Sequence, residues 1–234
     1  MAPRPSSNPP PITKIEDGLY IGDITSSHKV DILLAHNITA IVSLTRGGLA
    51  YWRRSRNREL VPEENHYYLP CADTLTFDLL PHLSVICDFI ERFRPRLRPD
   101  DVDHDHVHDD DDGADDASLP PGVLVHCEMG ISRSATAVLA YLMRAYEWDF
   151  DTALAHFKQK RKVKPNPNFA EQLAVWAETK YEVWDERAPS STSEDRDADC
   201  GLVPKAAYAA YLVRRAERLK ELGLTGDEPV VPDL

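Results

Sequence analysis

At 234 residues and 42% hydrophobic content, the chain can bury one sizeable core with some residues to spare and is short for two. Its formal net charge of −12 argues against nucleic acid as a partner, although ten aspartates crowd into 100–116 and leave only about −2 for the rest. The longest apolar run, Ala135 to Met143, falls far short of the ~18 to 20 residues that span a bilayer, and the four scattered cysteines (Cys71, Cys87, Cys127, Cys200) match neither a disulfide framework nor a zinc site.

In chain order, residues 1–11 are rich in proline and are expected to be a disordered lead-in. They contain no apolar run of the kind a secretory signal needs. GLYIGD (Gly18 to Asp23) reads as a short strand. SSHKVDILLAHN reads as a helix capped by Ser26 or Ser27 and stopped at Asn37. The β-branched run ITAIVSLT (Ile38 to Thr45) has the length of a buried strand. A basic loop with Arg53, Arg54, Arg56 and Arg58 follows, and then a strand from His66 to Asp73. Asp78 is placed to cap a helix in which Leu79, Leu83, Ile86 and Ile90 recur at helical spacing.

The acidic stretch at 100–118 has almost no apolar content and is expected to be a solvated, disordered insertion. Its histidines (His104, His106, His108) fit either weak metal binding or, more simply, a polar linker. Beyond it come a strand GVLVHC, a loop, and a helix from Ser132 to Trp148. A further helix runs from Asp151 to Lys162, and another starts where Asn168 and Glu171 suggest a capping box. One α/β unit over 12–185, a linker at 186–203, an amphipathic helix at 204–222 and a tail at 223–234 complete the expected organisation. The final helix has Tyr208, Tyr211, Leu212, Ala216 and Leu219 on one face; it packs on the α/β body, binds a partner or covers a pocket.

The chemistry concentrates in VLVHCEMGISRSAT (Val123 to Thr136). Cys127 ends an apolar strand, and a helix starts a few residues on. The backbone N–H groups of Glu128, Met129, Gly130, Ile131, Ser132 and Arg133 can then converge on one anion, backed by the helix N-terminus. The planar fork of Arg133 suits two phosphate oxygens. The same donors stabilise a thiolate, so Cys127 is expected to titrate below the ~8.5 of a free thiol. A nucleophilic thiolate in a phosphate-shaped cradle implies phosphoryl transfer through a cysteinyl-phosphate. Gly130 permits the turn, and Ser134 can donate to the sulfur as it leaves. His126 either orients the loop or simply packs. The leaving oxygen needs a proton, and Asp73, entering a loop from the end of a strand, is the chosen acid; Asp78 reads as a cap and Asp88 sits mid-helix.

Cys-x5-Arg with His before it and Ser after it resembles the protein tyrosine phosphatase superfamily, and HCEMGISRSATAVLAYLM is similar to its dual-specificity phosphatases. DGLYIGD, ADTLTFDLLPHLSVICDFIE and RKVKPNPNFAEQL match in order, so the resemblance covers roughly Ile12 to Trp176. It implies an α/β phosphatase fold: a central, mostly parallel sheet flanked by helices, with the phosphate-binding loop between strand and helix. It carries the nucleophile onto Cys127, the phosphate-binding arginine onto Arg133, the acid onto Asp73 and the leaving-group hydroxyl onto Ser134. Asn166 takes the place of the asparagine that braces the loop, and Arg161 that of a basic residue some relatives keep for a second substrate phosphate. Asp73 and Cys127 are 54 residues apart, long for the family, and removing 100–116 leaves an ordinary 37. Asn168 stands where relatives often have Gly.

The resemblance implies a phosphorylated protein as substrate, bearing phosphotyrosine, or phosphotyrosine together with phosphoserine or phosphothreonine. It implies no catalytic metal or organic cofactor, because thiolate, arginine and acid complete the cycle. The loop holds no lysine, and Glu128 beside the cysteine disfavours polyanionic lipid headgroups. The rival readings are a catalytically weak phospho-binding scaffold, a phosphatase for a non-protein ester, and a rhodanese-like sulfurtransferase. The last would not need the Arg-Ser pair or Asp73. Relatives that protect the nucleophile by a disulfide suggest Cys71 or Cys87 as a partner for Cys127, against the plainer role of buried thiols. The cysteine usage points to reduced thiols within the cytoplasm, the nucleus or both.

Overall fold

A computed structural model describes residues 11–47, 49–94, 120–186 and 202–230. Within them β1 (Ile12–Glu16), β2 (Leu19–Gly22), β3 (Ile38–Thr45), β4 (His66–Pro70) and β5 (Gly122–His126) form one sheet in the order β1-β2-β5-β3-β4. Only β1 runs antiparallel, to β2; the other pairings are parallel. The expected α/β architecture with a mostly parallel sheet is the observed one.

Strand periodicity splits the interior into two cores. Leu19 and Ile21, Ala40, Val42 and Leu44, and Val123 and Val125 face the larger one. Their neighbours Tyr20, Ile41 and Leu124 face the smaller one, with Leu33, Trp52 and Val61. The larger core is roofed by α5 (Leu80–Phe93), α6 (Arg133–Tyr146), α7 (Phe150–Lys160) and α8 (Pro167–Glu178). The smaller lies under α2 (Val30–Ala35), α3 (Leu49–Trp52) and α4 (Ser55–Leu60), which follow α1 (Ile24–Ser27). A strand covered on both faces reads as continuously apolar, and β5, buried at all five positions, is that strand. Buried leucine-sized side chains contribute roughly 1.5–3 kcal/mol each. Residues 135–143 of α6 are all buried, which makes α6 the central pillar.

Several expectations are corrected. Asp23, not Ser26 or Ser27, caps the first helix: its Oδ1 accepts from Ser26 N at 2.7 Å, while the two serine hydroxyls bond back to Asp23 O and Ile24 O. That helix breaks into α1 and α2. The basic loop contains α3 and α4, and the strand expected to reach Asp73 ends at Pro70. The α5 N-cap is Leu79, although Asp78 Oδ1 still accepts from Leu80 N at 3.1 Å. The α8 cap is Asn166, whose Oδ1 accepts from Phe169 N at 2.9 Å; Asn168 is buried inside the helix and there is no capping box at that position. Where a linker was expected, β6 (Trp184–Glu186) pairs antiparallel with β7 (Leu202–Pro204) and leads into α9 (Ala206–Leu222). The proline-rich start at 1–10, the acidic insertion with its three histidines, the middle of the linker including Cys200, and 231–234 lie outside the described residues.

Candidate active site

Cys127 directly follows β5, which lies between β2 and β3 in the sheet, so the cysteine sits at the C-terminal edge where open α/β sheets bind ligands. The six-residue return to α6 is shaped by its carbonyls. Ile24 N–H donates to Glu128 O at 3.2 Å, and Arg161 Nε donates to Gly130 O at 2.9 Å. Arg161 Nη2 reaches Met129 O at 3.4 Å, and Lys164 N–H donates to Ile131 O at 2.9 Å. A planar trans peptide opposes its C=O with the next N–H. With these carbonyls held against the body, the amides of residues 129 to 132 turn to the opposite side. One is accounted for: Gly130 N–H donates to Cys127 Sγ at 3.2 Å. Gly130 is required there. Its φ is +66°, and a Cβ would stand 2.5 Å from Gly22 O and 2.6 Å from Arg161 Nη2.

The sulfur also lies 3.2 Å from Ser134 Oγ, in the first turn of α6. Ser132, the α6 N-cap, makes no capping bond with its side chain. Its hydroxyl instead donates to Asp73 Oδ1 at 2.9 Å, so the first-turn amides of α6 keep no side-chain cap. Asn166 Nδ2 donates to the same Asp73 oxygen at 2.6 Å, and Asn166 N–H donates to Ser132 Oγ at 3.1 Å. Asp73, Cys127, Ser132, Arg133 and Asn166 border one cavity of about 610 Å³, with Arg46, Lys164 and the exposed Met129 at its margin.

Arg133 Nη1 donates to Cys71 O at 2.8 Å, Nη2 pairs with Glu128 Oε2, and Nε lies 3.9 Å from Asp73 Oδ2. Burial opposes the charge on Arg133, but Cys127 and Glu128 outweigh it and hold the guanidinium pKa above its usual value. Burial pushes the thiols of Cys71 and Cys87 up, the latter to about 12. Among the described residues no His, Cys, Asp and Glu group has the arrangement to hold a metal ion.

Arg161 is only 3% exposed, bonded to loop carbonyls and to Thr13 Oγ1 at 3.0 Å. It braces the loop from beneath, which corrects the expectation that it faces a second phosphate. His126 is buried, and burial pushes its pKa down to about 3. Its Nε2 lies 2.6 Å from Ser43 Oγ, which lies 2.8 Å from His66 Nε2; His66 Nδ1 is 3.2 Å from Arg58 Nη1. Arg58 can only donate, so one set of tautomers satisfies the chain. His66 donates through Nε2, Ser43 donates to His126 Nε2, and His126 Nδ1–H faces Cys127 O at 3.4 Å. Nothing in the sequence singles out Ser43 or His66 for this role, and Arg58 reads there as one of four arginines in a basic loop. The only signal was their types, because their convergence depends on β3 lying between β4 and β5.

Residues 118–179 match the family model of the dual specificity phosphatase catalytic domain, a stretch that ends before α9. Protein phosphatase Slingshot of Drosophila melanogaster is 39% identical over 116 residues, covering 47% of this chain and 11% of that protein. The tyrosine-protein phosphatase yvh1 of Schizosaccharomyces pombe is 33% identical over 124 residues, covering 53% of this chain and 31% of that protein. The chain therefore spans well under half the length of these curated relatives. The solved Yvh1 phosphatase domain from Chaetomium thermophilum superposes with a TM-score of 0.53 at 27% identity, covering 71% of this chain and 94% of that one. Human DUSP28 shares the fold, with a TM-score of 0.54 at 24% identity over 74% of this chain and 98% of that one. By the family match over residues 118–179, by relatives and by fold, the chain is similar to the dual-specificity phosphatases of the cysteine-based protein tyrosine phosphatase superfamily.

Proposed function

We propose that the protein hydrolyses phosphotyrosine and phosphoserine or phosphothreonine on protein substrates through a cysteinyl-phosphate, inside the cell, in the cytoplasm or nucleus. The observation that carries the reading is the meeting of two separate chain segments. Cys127 Sγ, between the Gly130 amide and the Ser134 hydroxyl, opens onto the same cavity as Asp73, which Ser132 and Asn166 tether.

In this scheme the Cys127 thiolate attacks phosphorus while the P–O bond to the substrate breaks. Asp73 gives its proton to the departing oxygen. Loop amides and Arg133 hold the equatorial oxygens, where charge spreads in the transition state. Water then attacks the phosphorus and Asp73 takes its proton. The S–P bond breaks, with Ser134 donating to the sulfur, and inorganic phosphate leaves. Free cysteines among the described residues support a reducing compartment.

The test is hydrolysis of p-nitrophenyl phosphate by the wild type, Cys127→Ser and Asp73→Ala, followed by phosphotyrosine, phosphoserine/threonine and phosphoinositide substrates. Activity should vanish with Cys127→Ser and fall roughly 10²–10⁴-fold on phosphopeptides with Asp73→Ala. A wild type inert on every ester yet able to bind phosphopeptides would overturn the reading.

A further inference from the structure

Asp73 belongs to a segment with little structure of its own. Cys71 N–H still bonds Thr45 O, and helical bonding resumes with His82 N–H to Leu79 O. Between Ala72 and Asp78 no backbone group pairs with another backbone group among the described residues. Phe77 N–H donates to the Thr74 hydroxyl at 3.1 Å, the Thr74 and Thr76 hydroxyls lie 3.4 Å apart and Asp78 Oδ1 accepts from Leu80 N; most other hydrogen bonds of this loop run to side chains from elsewhere. Those side chains therefore decide where Asp73 stands.

Some belong to α8, and α8 is in turn set by α9. Asn168 Nδ2 donates to Phe77 O at 2.8 Å. Gln172 Nε2 also donates to Phe77 O at 2.8 Å, and its Oε1 accepts from Leu79 N at 2.8 Å. Both amides meet one hydroxyl: Tyr211 OH accepts from Gln172 Nε2 at 2.8 Å and donates to Asn168 Oδ1 at 3.1 Å. Tyr211 is fully buried, so nothing but these amides competes for it. Two further α9 residues touch the loop itself. Arg215 Nε donates to Thr76 O at 2.7 Å, and Tyr208 OH donates to Asp78 Oδ2 at 2.8 Å.

We propose that α9 is a positioning element for the general acid: Tyr211 orients the two α8 amides, Arg215 and Tyr208 grip the loop, and together they hold Asp73 over the cavity. The inference rests on the reading of Asp73 as the acid. None of the three α9 side chains touches the cavity that holds Cys127. They act through the loop, and small misplacement of a proton donor lowers rate without abolishing binding.

A positioning defect has a signature that a general loss of structure lacks, because it grows with the leaving group's need for a proton. Phenyl phosphate needs that proton, and dinitrophenyl phosphate does not. With Arg215→Gln and Tyr211→Phe, kcat/KM on phenyl phosphate should fall roughly tenfold while that on dinitrophenyl phosphate stays within about twofold. Arg215→Lys should recover part of the loss. Arg214→Ala, which removes a contact to Glu171 of α8 and none to the loop, should leave the ratio of the two substrates unchanged. Melting curves establish that each variant is folded; Arg215 is only half-buried, so its replacement spares the packed face of α9. Equal losses on both esters, or no loss on either, would overturn the inference while leaving the phosphatase reading intact. A wild type inactive on both esters would overturn the two together.

Discussion

Glu128, in the loop that Cys127 opens, and Arg133, the first residue of α6, form an ion pair at the wall of the cavity. Arg46 N–H also donates to the Glu128 carboxylate at 3.1 Å, which fixes that carboxylate in place. Glu128 thus offers the Arg133 guanidinium an internal anion, and under the proposed function an incoming phosphate competes with it. Glu128→Gln should tighten competitive inhibition by orthovanadate and inorganic phosphate by roughly three- to tenfold, the scale of one charge-assisted contact near a surface. Unchanged inhibition constants would show that the pair does not guard the site.

Gly130 couples backbone conformation to chemistry. Gly130→Ala places a Cβ against Gly22 O at a φ of +66°. The left-handed conformation alone costs about 1–2 kcal/mol for a residue with a Cβ, and the contact adds to it. The loop should shift and take its amide away from the Cys127 sulfur. A loss of turnover much larger than the fall in melting temperature is expected; unchanged kcat would contradict the loop geometry.

Arg161 is built into the base of the loop. Arg161→Met should destabilise the protein by about 2–4 kcal/mol, since it removes several charge-assisted bonds and strands the Gly130 carbonyl. It should depress activity on singly and doubly phosphorylated peptides alike. A selective loss on the doubly phosphorylated peptide would instead restore a substrate-binding role.

The Arg58–His66–Ser43–His126 chain makes stability depend on pH. Burial pushes His66 down to about 4, helped by the Arg58 charge, and His126 down to about 3, from 6.5. Folded, both stay neutral; unfolded, both take a proton as pH falls below 6.5. Their contribution is therefore complete above 6.5, and is lost progressively as pH falls towards the two folded values. Each costs about 1.4 kcal/mol per pH unit once the unfolded form is protonated. Urea denaturation between pH 6.5 and 5, above the carboxylate range, should show that slope. His66→Gln should flatten it by about one proton, and a parallel slope in the variant would remove His66 from the account.

The elements legible in sequence are those whose information is local. Ile38–Thr45 and Gly122–His126 are continuous apolar runs because both sheet faces are covered, and α6 follows from its uninterrupted apolar, alanine-rich stretch. The loop itself was equally plain, since a cysteine, a glycine and an arginine within seven residues need no distant partner to suggest an anion cradle. Sequence and structure diverge where a polar side chain has two possible addresses. Asn166 and Asn168 are both good caps by type, and only the packing of α9 on α8 assigns the second to Phe77 and Tyr211.

The sequence by itself determined the α/β layout, the nucleophile loop and a short list of possible acids, because helix periodicity, strand burial and Cys-x5-Arg spacing are local patterns of side-chain chemistry. Tertiary structure decided the rest. It set Asp73 beside Ser132 and Asn166, drew Ser43, His66 and Arg58 into line behind His126, and turned Arg161 inward beneath the loop. Each of these joins residues far apart in the chain. Such hydrogen bonds form only where folding has already brought donor and acceptor within about 3 Å, and for the buried ones it has also excluded the water that would otherwise satisfy both.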